Sequence, residues 1–339
     1  MNFLLILMAN IIIYSCIHFI LNKVSVKLGI VDYPDHRKKH EFPVTLSGGI
    51  SILVPIYFVN LFLNTDPIIS LILYSSLSVL LLGIFDDMIN LSAKLRLIVL
   101  IVISFIMFYF GIKLDNLGEY FIFGSLTLDY LSVFFTILSI IILINAINFT
   151  DGIDGLAISL YLQAIISLTI FIYFNNKFVV DEIIIILIFN CILFLLVNTQ
   201  IIKVSKSFLG DSGSMGLGFI LACLLIYFSQ DPNNYLHPIL VIWCIPILIF
   251  DFFGTIIIRL KLKINPLKAD RLHLHHQLLI NSKNKFILFK ILALSIILSL
   301  LGVLSFYFFN ASISLLLLLI SFIAFLVLKF WLLNEKKTI

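Results

Sequence analysis

The chain has 339 residues, 62% of them hydrophobic and 12% charged, with a formal net charge of +4. Soluble domains carry about 25% charged residues, so the composition excludes a soluble globular protein and indicates an integral membrane protein. The basic residues sit between apolar runs rather than in a stripe, which argues against a nucleic-acid partner.

A bilayer-crossing helix needs roughly 17–25 apolar residues, and the apolar runs lack the polar/apolar alternation of barrel strands, so the spans are helical. The expected fold is all-α and polytopic, a single membrane domain over 1–339 with about eleven transmembrane helices. In chain order they fall near 3–22, 48–64, 68–85, 97–112, 131–147, 156–174, 183–198, 214–229, 236–258, 286–309 and 312–333. The first span is followed by Lys23 and Lys27, the reverse of a cleavable signal peptide, so it is expected to remain, with the N-terminus outside and the C-terminus inside. Of the 22 Lys and Arg residues, all but Lys113 and Lys177 then fall inside, a strong positive-inside bias. Cys16, Cys191, Cys223 and Cys244 lie within apolar runs without ligand spacing, so packing is their expected role.

The outer segments 64–67, 175–182 and 230–235 read as short polar connectors, and 113–130, with alternating apolar residues around Gly124, reads as a small hairpin. The inner segments each carry a polar cluster. The first contains Asp32, Lys38, His40 and Gly48-Gly49, a basic loop at headgroup depth where attraction to anionic membrane lipid is the simplest role. Next comes Asp86-Asp87, whose mutual repulsion calls for a cation or basic partner, although an exposed helix cap would also account for it.

Residues 148–156 read Asn-Phe-Thr-Asp-Gly-Ile-Asp-Gly-Leu. Asn148, Asp151 and Asp154 offer the hard oxygen ligands that Mg²⁺ prefers, between glycines that allow close backbone approach. A polar turn between helices is the competing explanation. Asp211, in Phe-Leu-Gly-Asp-Ser-Gly-Ser at 208–214, opens a span where free amides favour anions or a plain cap. The last inner loop carries Asp270, Arg271, His273, His275 and His276 after several basic residues. A cationic loop without cysteine suits phosphate better than zinc. Asp251, inside the ninth span, is a functional candidate or the partner of an Arg such as Arg259.

Taken in this order, Asp86-Asp87, the 148–156 motif, the Asp211 motif and Asp-Arg-Leu-His-Leu-His-His at 270–276 resemble the polyprenyl-phosphate N-acetylhexosamine-1-phosphate transferases. That resemblance implies transfer of a sugar 1-phosphate from a UDP-N-acetylhexosamine to undecaprenyl phosphate, releasing UMP, with Mg²⁺ or alternatively Mn²⁺. It implies that Asn148 and Asp211 hold the metal and that Asp86, Asp87, Asp151 and Asp154 line the catalytic site. Lys38, His40, Asn198, Arg271, His273, His275 and His276 are the implied substrate-binding residues. The His-x-His-His form looks like the GlcNAc-1-phosphate branch, and other UDP-sugars, including UDP-MurNAc-pentapeptide, are the alternatives. The implied setting is the bacterial cytoplasmic membrane, at the first membrane step of a cell-surface polysaccharide, with the active site built from cytoplasmic loops; a homodimer is compatible with this. A transporter is the rival class, but its polar groups should reach the midplane and its halves should repeat. The acidic clusters lie at one face instead, with Asp251 the partial exception, and the sequence shows no repeat.

Overall fold

The structure, a computed structural model, describes residues 3–34, 42–175, 181–265, 271–281 and 286–335. From the N-terminus run α1 (Phe3–Leu28), the short strands β1 (Val31–Asp32) and β2 (Val44–Thr45), then α2 (Gly48–Asn60), α3 (Pro67–Ile89) and α4 (Ala93–Tyr109). Strands β3 (Asn116–Tyr120) and β4 (Gly124–Thr127) precede α5 (Ser132–Thr150), α6 (Leu156–Phe174), α7 (Glu182–Asn198) and α8 (Gly210–Ser229). The rest is helical: α9 (Pro238–Cys244), α10 (Pro246–Lys261), α11 (Leu274–Asn281), α12 (Ile287–Phe308) and α13 (Ala311–Glu335).

A helix, or the bent pair α9 and α10, lies at each of the eleven expected stretches. Among the described residues, seven helices are long and apolar enough to cross a membrane. The bent pair, turning by 83°, makes an eighth if it is one span. Helices α2 and α7 are apolar but shorter, and α4 has 17 residues with Lys94 and Arg96 in its first turn. Local capping chemistry explains several helix starts. Asp66 caps α3 by accepting from Ile68 and Ile69 N–H ahead of Pro67, and Asp181 caps α7 through Ile183 N–H. The expected hairpin is present, with β3 and β4 antiparallel and Tyr120 opposite Gly124.

The packing divides the chain into two compact units. The first comprises Met1–Ile112, Thr136–Leu162 and Phe178–Leu224. Its helices approach through small residues, as bundles in lipid do when apolar burial gives no driving force between helices. A Cβ on Gly49 would overlap the Gly213 backbone, and one on Gly83 would overlap the backbone of Ser212. Helices α2 and α3 are thereby brought onto the first turn of α8. Farther along, Asn10 Nδ2 donates to Asn190 Oδ1 (2.6 Å), and Asn190 Nδ2 donates to the Ile52 carbonyl (3.0 Å), tying α1 to α7 and α7 to α2.

The second unit comprises Lys113–Phe135, Gln163–Lys177 and Leu225–Ile339. The α9–α10 bend falls at Ile245-Pro246, where proline has no N–H to continue the helix. Trp243 fills the space that a Cβ on Gly302 would occupy, and its Nε1 donates to Ser314 Oγ (2.9 Å). Gln163 Nε2 donates to the Cys244 carbonyl (3.2 Å) and to Ser299 Oγ (2.9 Å), so a peptide carbonyl at the bend finds a partner. The hairpin is held by Gln230, whose Oε1 accepts from Asp115 and Asn116 N–H (3.0 and 2.9 Å).

The Gly83 contact gives a first prediction. Gly83→Val should push α3 off α8 and lower the thermal unfolding midpoint in detergent, at a cost of about 1–3 kcal/mol for overpacking. A lipid-facing control such as Leu81→Val, at an exposed position of the same helix, should leave the midpoint close to wild type.

Candidate active site

Asp86, Asp87, Asp151, Asp154 and Asp211 lie in the first unit, at or just beyond the ends of its helices. Asp86 and Asp87 close α3, but adjacent helical side chains point about 100° apart, and the two have different partners. Asp86, 4% exposed, accepts from Leu91 N–H through Oδ1 (2.7 Å) and forms an ion pair with Arg96 through Oδ2. Asp87 turns to α8 instead. Its Oδ1 accepts from Asp211 N–H (2.9 Å) and its Oδ2 from Ser212 N–H (3.1 Å). The anion at this helix N-terminus is therefore a side chain of the protein, satisfying amides that have no partner within the helix. Gly210 permits the arrangement twice over. Its φ is +73°, and a Cβ there would lie 2.8 Å from Asp87 Oδ2.

Asp211 follows on the first turn of α8. Asn148, near the end of α5, donates from Nδ2 to Asp211 Oδ1 (2.5 Å) and to Ser214 Oγ (2.9 Å). Arg96 Nη1 lies 3.8 Å from Asp211 Oδ2. The loop after α5 adds two exposed carboxylates, Asp151 and Asp154. Asp154 pairs with Lys206 (2.6 Å). Desolvation, then the charges of Asp211, Asp87 and Asp154, push the Asp151 carboxyl up to about 7, against a Gly210 N–H that lowers it. Asp151 is open to solvent, and the repulsion of its three acidic neighbours favours its protonated form.

Asn198 does structural work beside this cluster. Its Oδ1 accepts from Gly155 N–H (2.6 Å) and its Nδ2 donates to the Ser207 carbonyl (2.8 Å), fixing the acidic loop to the segment before α8. That segment runs beside residues 45–49. Phe208 N–H donates to the Thr45 carbonyl (2.8 Å), and Gly48 and Gly49 N–H donate to the Phe208 and Leu209 carbonyls (3.0 and 3.1 Å).

His273, His275 and His276 belong to the second unit. His273 and His275 are buried, His276 is half-buried and Arg271 is exposed. The rings of His275 and His276 lie 4.0 Å apart. Desolvation and the neighbouring His276 hold His275 down to about 3, against an upward pull from Asp251, so it is a neutral imidazole. Its Nε2 and both polar atoms of Gln277 have no hydrogen-bond partner among the described residues. Asp251 bonds to His273 and Lys329, where the sequence suggested Arg259. Lys38, His40 and Asp270 lie outside the described residues. Sequence reasoning missed Lys206, Thr255, Gln277 and Lys329 as members of these clusters. Arg96, ten residues after Asp86 and on the next helix, is the basic partner that the acidic pair called for.

Among the described residues no three His, Cys, Asp or Glu side chains form a closed metal site. The donor set still suits Mg²⁺, which binds through one or two carboxylates and leaves its other positions to water and phosphate. Of the carboxylates here, Asp86 and Asp154 have close basic partners, Asp87 has backbone amides and Asp211 shares Arg96 with Asp86, so among the described residues five carboxylates face the two basic side chains of Arg96 and Lys206.

Helix ends that carry an uncompensated carboxylate cluster, in a polytopic α-helical membrane protein, define a class suited to cations and phosphates. Residues 69–229 match the profile of glycosyl transferase family 4. The Escherichia coli (strain K12) undecaprenyl-phosphate alpha-N-acetylglucosaminyl 1-phosphate transferase is 30% identical over 300 residues, 85% of this chain and 80% of that protein. The Yersinia pestis protein of the same name is 29% identical over 281 residues, 81% and 77% of the two chains. A Bacillus subtilis (strain 168) protein, named as a probable undecaprenyl-phosphate N-acetylglucosaminyl 1-phosphate transferase, is 29% identical over 266 residues, 77% and 72%. The chain belongs to glycosyl transferase family 4.

Arg96→Met tests the local electrostatics. It strands the buried Asp86 carboxylate, and because Arg96 itself is 32% exposed the loss should fall near the lower end of the roughly 3–5 kcal/mol typical of a broken buried pair. Thermal unfolding checks this, and Asp86→Asn in the Arg96→Met background should recover part of the loss.

Proposed function

We propose that the chain transfers N-acetylglucosamine 1-phosphate from UDP-GlcNAc to undecaprenyl phosphate, releasing UMP, at the cytoplasmic face of a bacterial inner membrane. The observation that carries this reading is the surplus negative charge around Asp211 at the start of α8, in a chain whose relatives are named for that transfer. With all eleven stretches crossing and the N-terminus outside, the acidic cluster and the histidine loop fall on the cytoplasmic side. A UDP-sugar cannot enter hydrocarbon and the lipid phosphate cannot leave the interface, so the reaction belongs at this boundary.

A phosphate monoester has its second pKa near 6, so the lipid arrives chiefly as a dianion. One of its oxygens attacks the phosphorus that bears the sugar. A new P–O bond forms, the bond from that phosphorus to the oxygen shared with UMP breaks, and UMP leaves with the electron pair. No general base is needed. Asp86 and Asp87 fit that economy, since Arg96 and the amides of α8 occupy their oxygens and they act by orienting their surroundings. Asp211 and Asn148 are the residues that would hold Mg²⁺, with Asp151 and Asp154 lining the site. Bound there, Mg²⁺ neutralises charge on the diphosphate oxygens. Asn198 keeps the Gly155 loop in register, and Lys38, His40, Arg271, His273, His275 and His276 are assigned to the substrates' phosphate and sugar groups.

The assay is UMP release by purified protein given undecaprenyl phosphate, Mg²⁺ and a panel of UDP-sugars. UDP-GlcNAc should be the preferred donor, and a chelator should abolish turnover until Mg²⁺ is restored. Asp211→Asn should lose about 10²–10³-fold in kcat, with no recovery at high Mg²⁺. Near-normal turnover of this variant would remove Asp211 from the site, and no UMP from any UDP-sugar would remove the reading itself.

A further inference from the structure

The second unit contains a charged network deep among apolar helices. On α10, Asp251 and Thr255 lie four residues apart, on one face of the helix, and are 3% and 1% exposed. From α13 comes Lys329, with 0% exposure, whose Nζ donates to Asp251 Oδ1 (2.7 Å) and Thr255 Oγ1 (2.6 Å). The other oxygen of Asp251, Oδ2, faces His273 Nδ1 at 2.8 Å, and Leu274 N–H donates to Oδ1 (2.9 Å). Thr255 Oγ1 also lies 3.4 Å from His273 Nδ1. One carboxylate thus joins the last helix to the histidine loop and to the first turn of α11.

A buried ion pair is a poor device for stability alone, because desolvating both charges offsets most of their attraction. Its geometry has a more specific consequence. A carboxylate cannot donate, so the His273 nitrogen facing it must carry the proton, which fixes the tautomer and the ring orientation. The Nε2 side is then the accepting side of the ring. Lys329 supplies the counter-charge to Asp251 and holds its carboxylate in place.

We propose that Asp251 and Lys329 are positioning residues for the transfer reaction: Lys329 clamps Asp251, and Asp251 sets the tautomer and ring orientation of His273. This rests on the function proposed above, and it adds to the machinery a residue on α13, well beyond the 69–229 region that matches the family profile.

Asp251→Asn separates positioning from scaffolding. An amide can still accept from Lys329 and Leu274 N–H through its oxygen, but it presents an N–H to His273 Nδ1 and drives the ring proton to Nε2. The expected result is a loss of about 10²-fold or more in kcat, by analogy with triads whose Asp is replaced by Asn. KM for the UDP-sugar and the melting midpoint should change little. Lys329→Met should reduce kcat in the same direction, with partial recovery in Lys329→Arg. In a His273→Ala background neither Asp251→Asn nor Lys329→Met should add to the loss, because they act through that ring. Additive losses, or full kcat in Asp251→Asn, would overturn the proposal. A readout independent of turnover is the ¹⁵N spectrum of labelled histidine, with His273 assigned by its loss in His273→Ala. Its Nδ1 should carry the proton in the wild type and lose it in Asp251→Asn, and an unchanged tautomer would also overturn the proposal. That spectrum needs no substrate, so it still tests the positioning should no UDP-sugar be turned over, the outcome that defeats the functional reading alone.

Discussion

The carboxylate of Asp87 grips the first turn of α8 by two backbone N–H groups, and the acidic centre of the first unit depends on that grip. It sets where α8 begins, hence where Asp211 stands. The attachment requires Gly210 in a left-handed conformation directly against the carboxylate, and Gly83 and Gly49 let α3 and α2 come close enough for it to form. Glycines that would weaken an ordinary helix serve here to bring backbone against backbone. The same contacts put Asn148 within hydrogen-bond reach of Asp211.

This architecture places like charges together and neutralises them incompletely. Arg96 and Lys206 answer Asp86 and Asp154, while Asp151 is left among carboxylates that raise its proton affinity. Repulsion of this kind is held in place by the surrounding packing, and a divalent cation with phosphate ligands is the chemistry that relieves it. The second unit treats charge in the opposite way. Its buried carboxylate, Asp251, is met on every side by Lys329, His273 and a backbone amide. One region is therefore suited to accept charge from outside and the other to hold a side chain in a fixed orientation.

The helical character of the chain was plain in its apolar runs, as was the β3–β4 hairpin in the alternation around Gly124. The acidic clusters were legible because carboxylates are costly near lipid. What adjacency in the sequence hid was direction: Asp86 and Asp87 look like a matched pair, yet the turn of the helix sends one to Arg96 and the other to α8. Asn10 and Asn190 were invisible for another reason. Each is a single polar residue in an apolar run, and their hydrogen bond joins positions 180 residues apart. Lys329 read as one more basic residue at an inner helix end, because burial and a partner at position 251 leave no local trace. The length of α2 was overestimated, since apolar composition continues through Leu61, Phe62 and Leu63 beyond the point where the helix stops at Asn60.

The central claim is that the Asp211 end of α8 is built to take a divalent cation together with a nucleotide diphosphate. Titration of Mn²⁺ into the purified protein with UDP-GlcNAc present, followed by the loss of its free-ion electron paramagnetic resonance signal, addresses this most directly. The account predicts one bound ion per chain in the wild type and binding weakened at least about tenfold, some 1.4 kcal/mol, in Asp211→Asn. Equal Mn²⁺ binding by the two proteins, or none by the wild type, would contradict it.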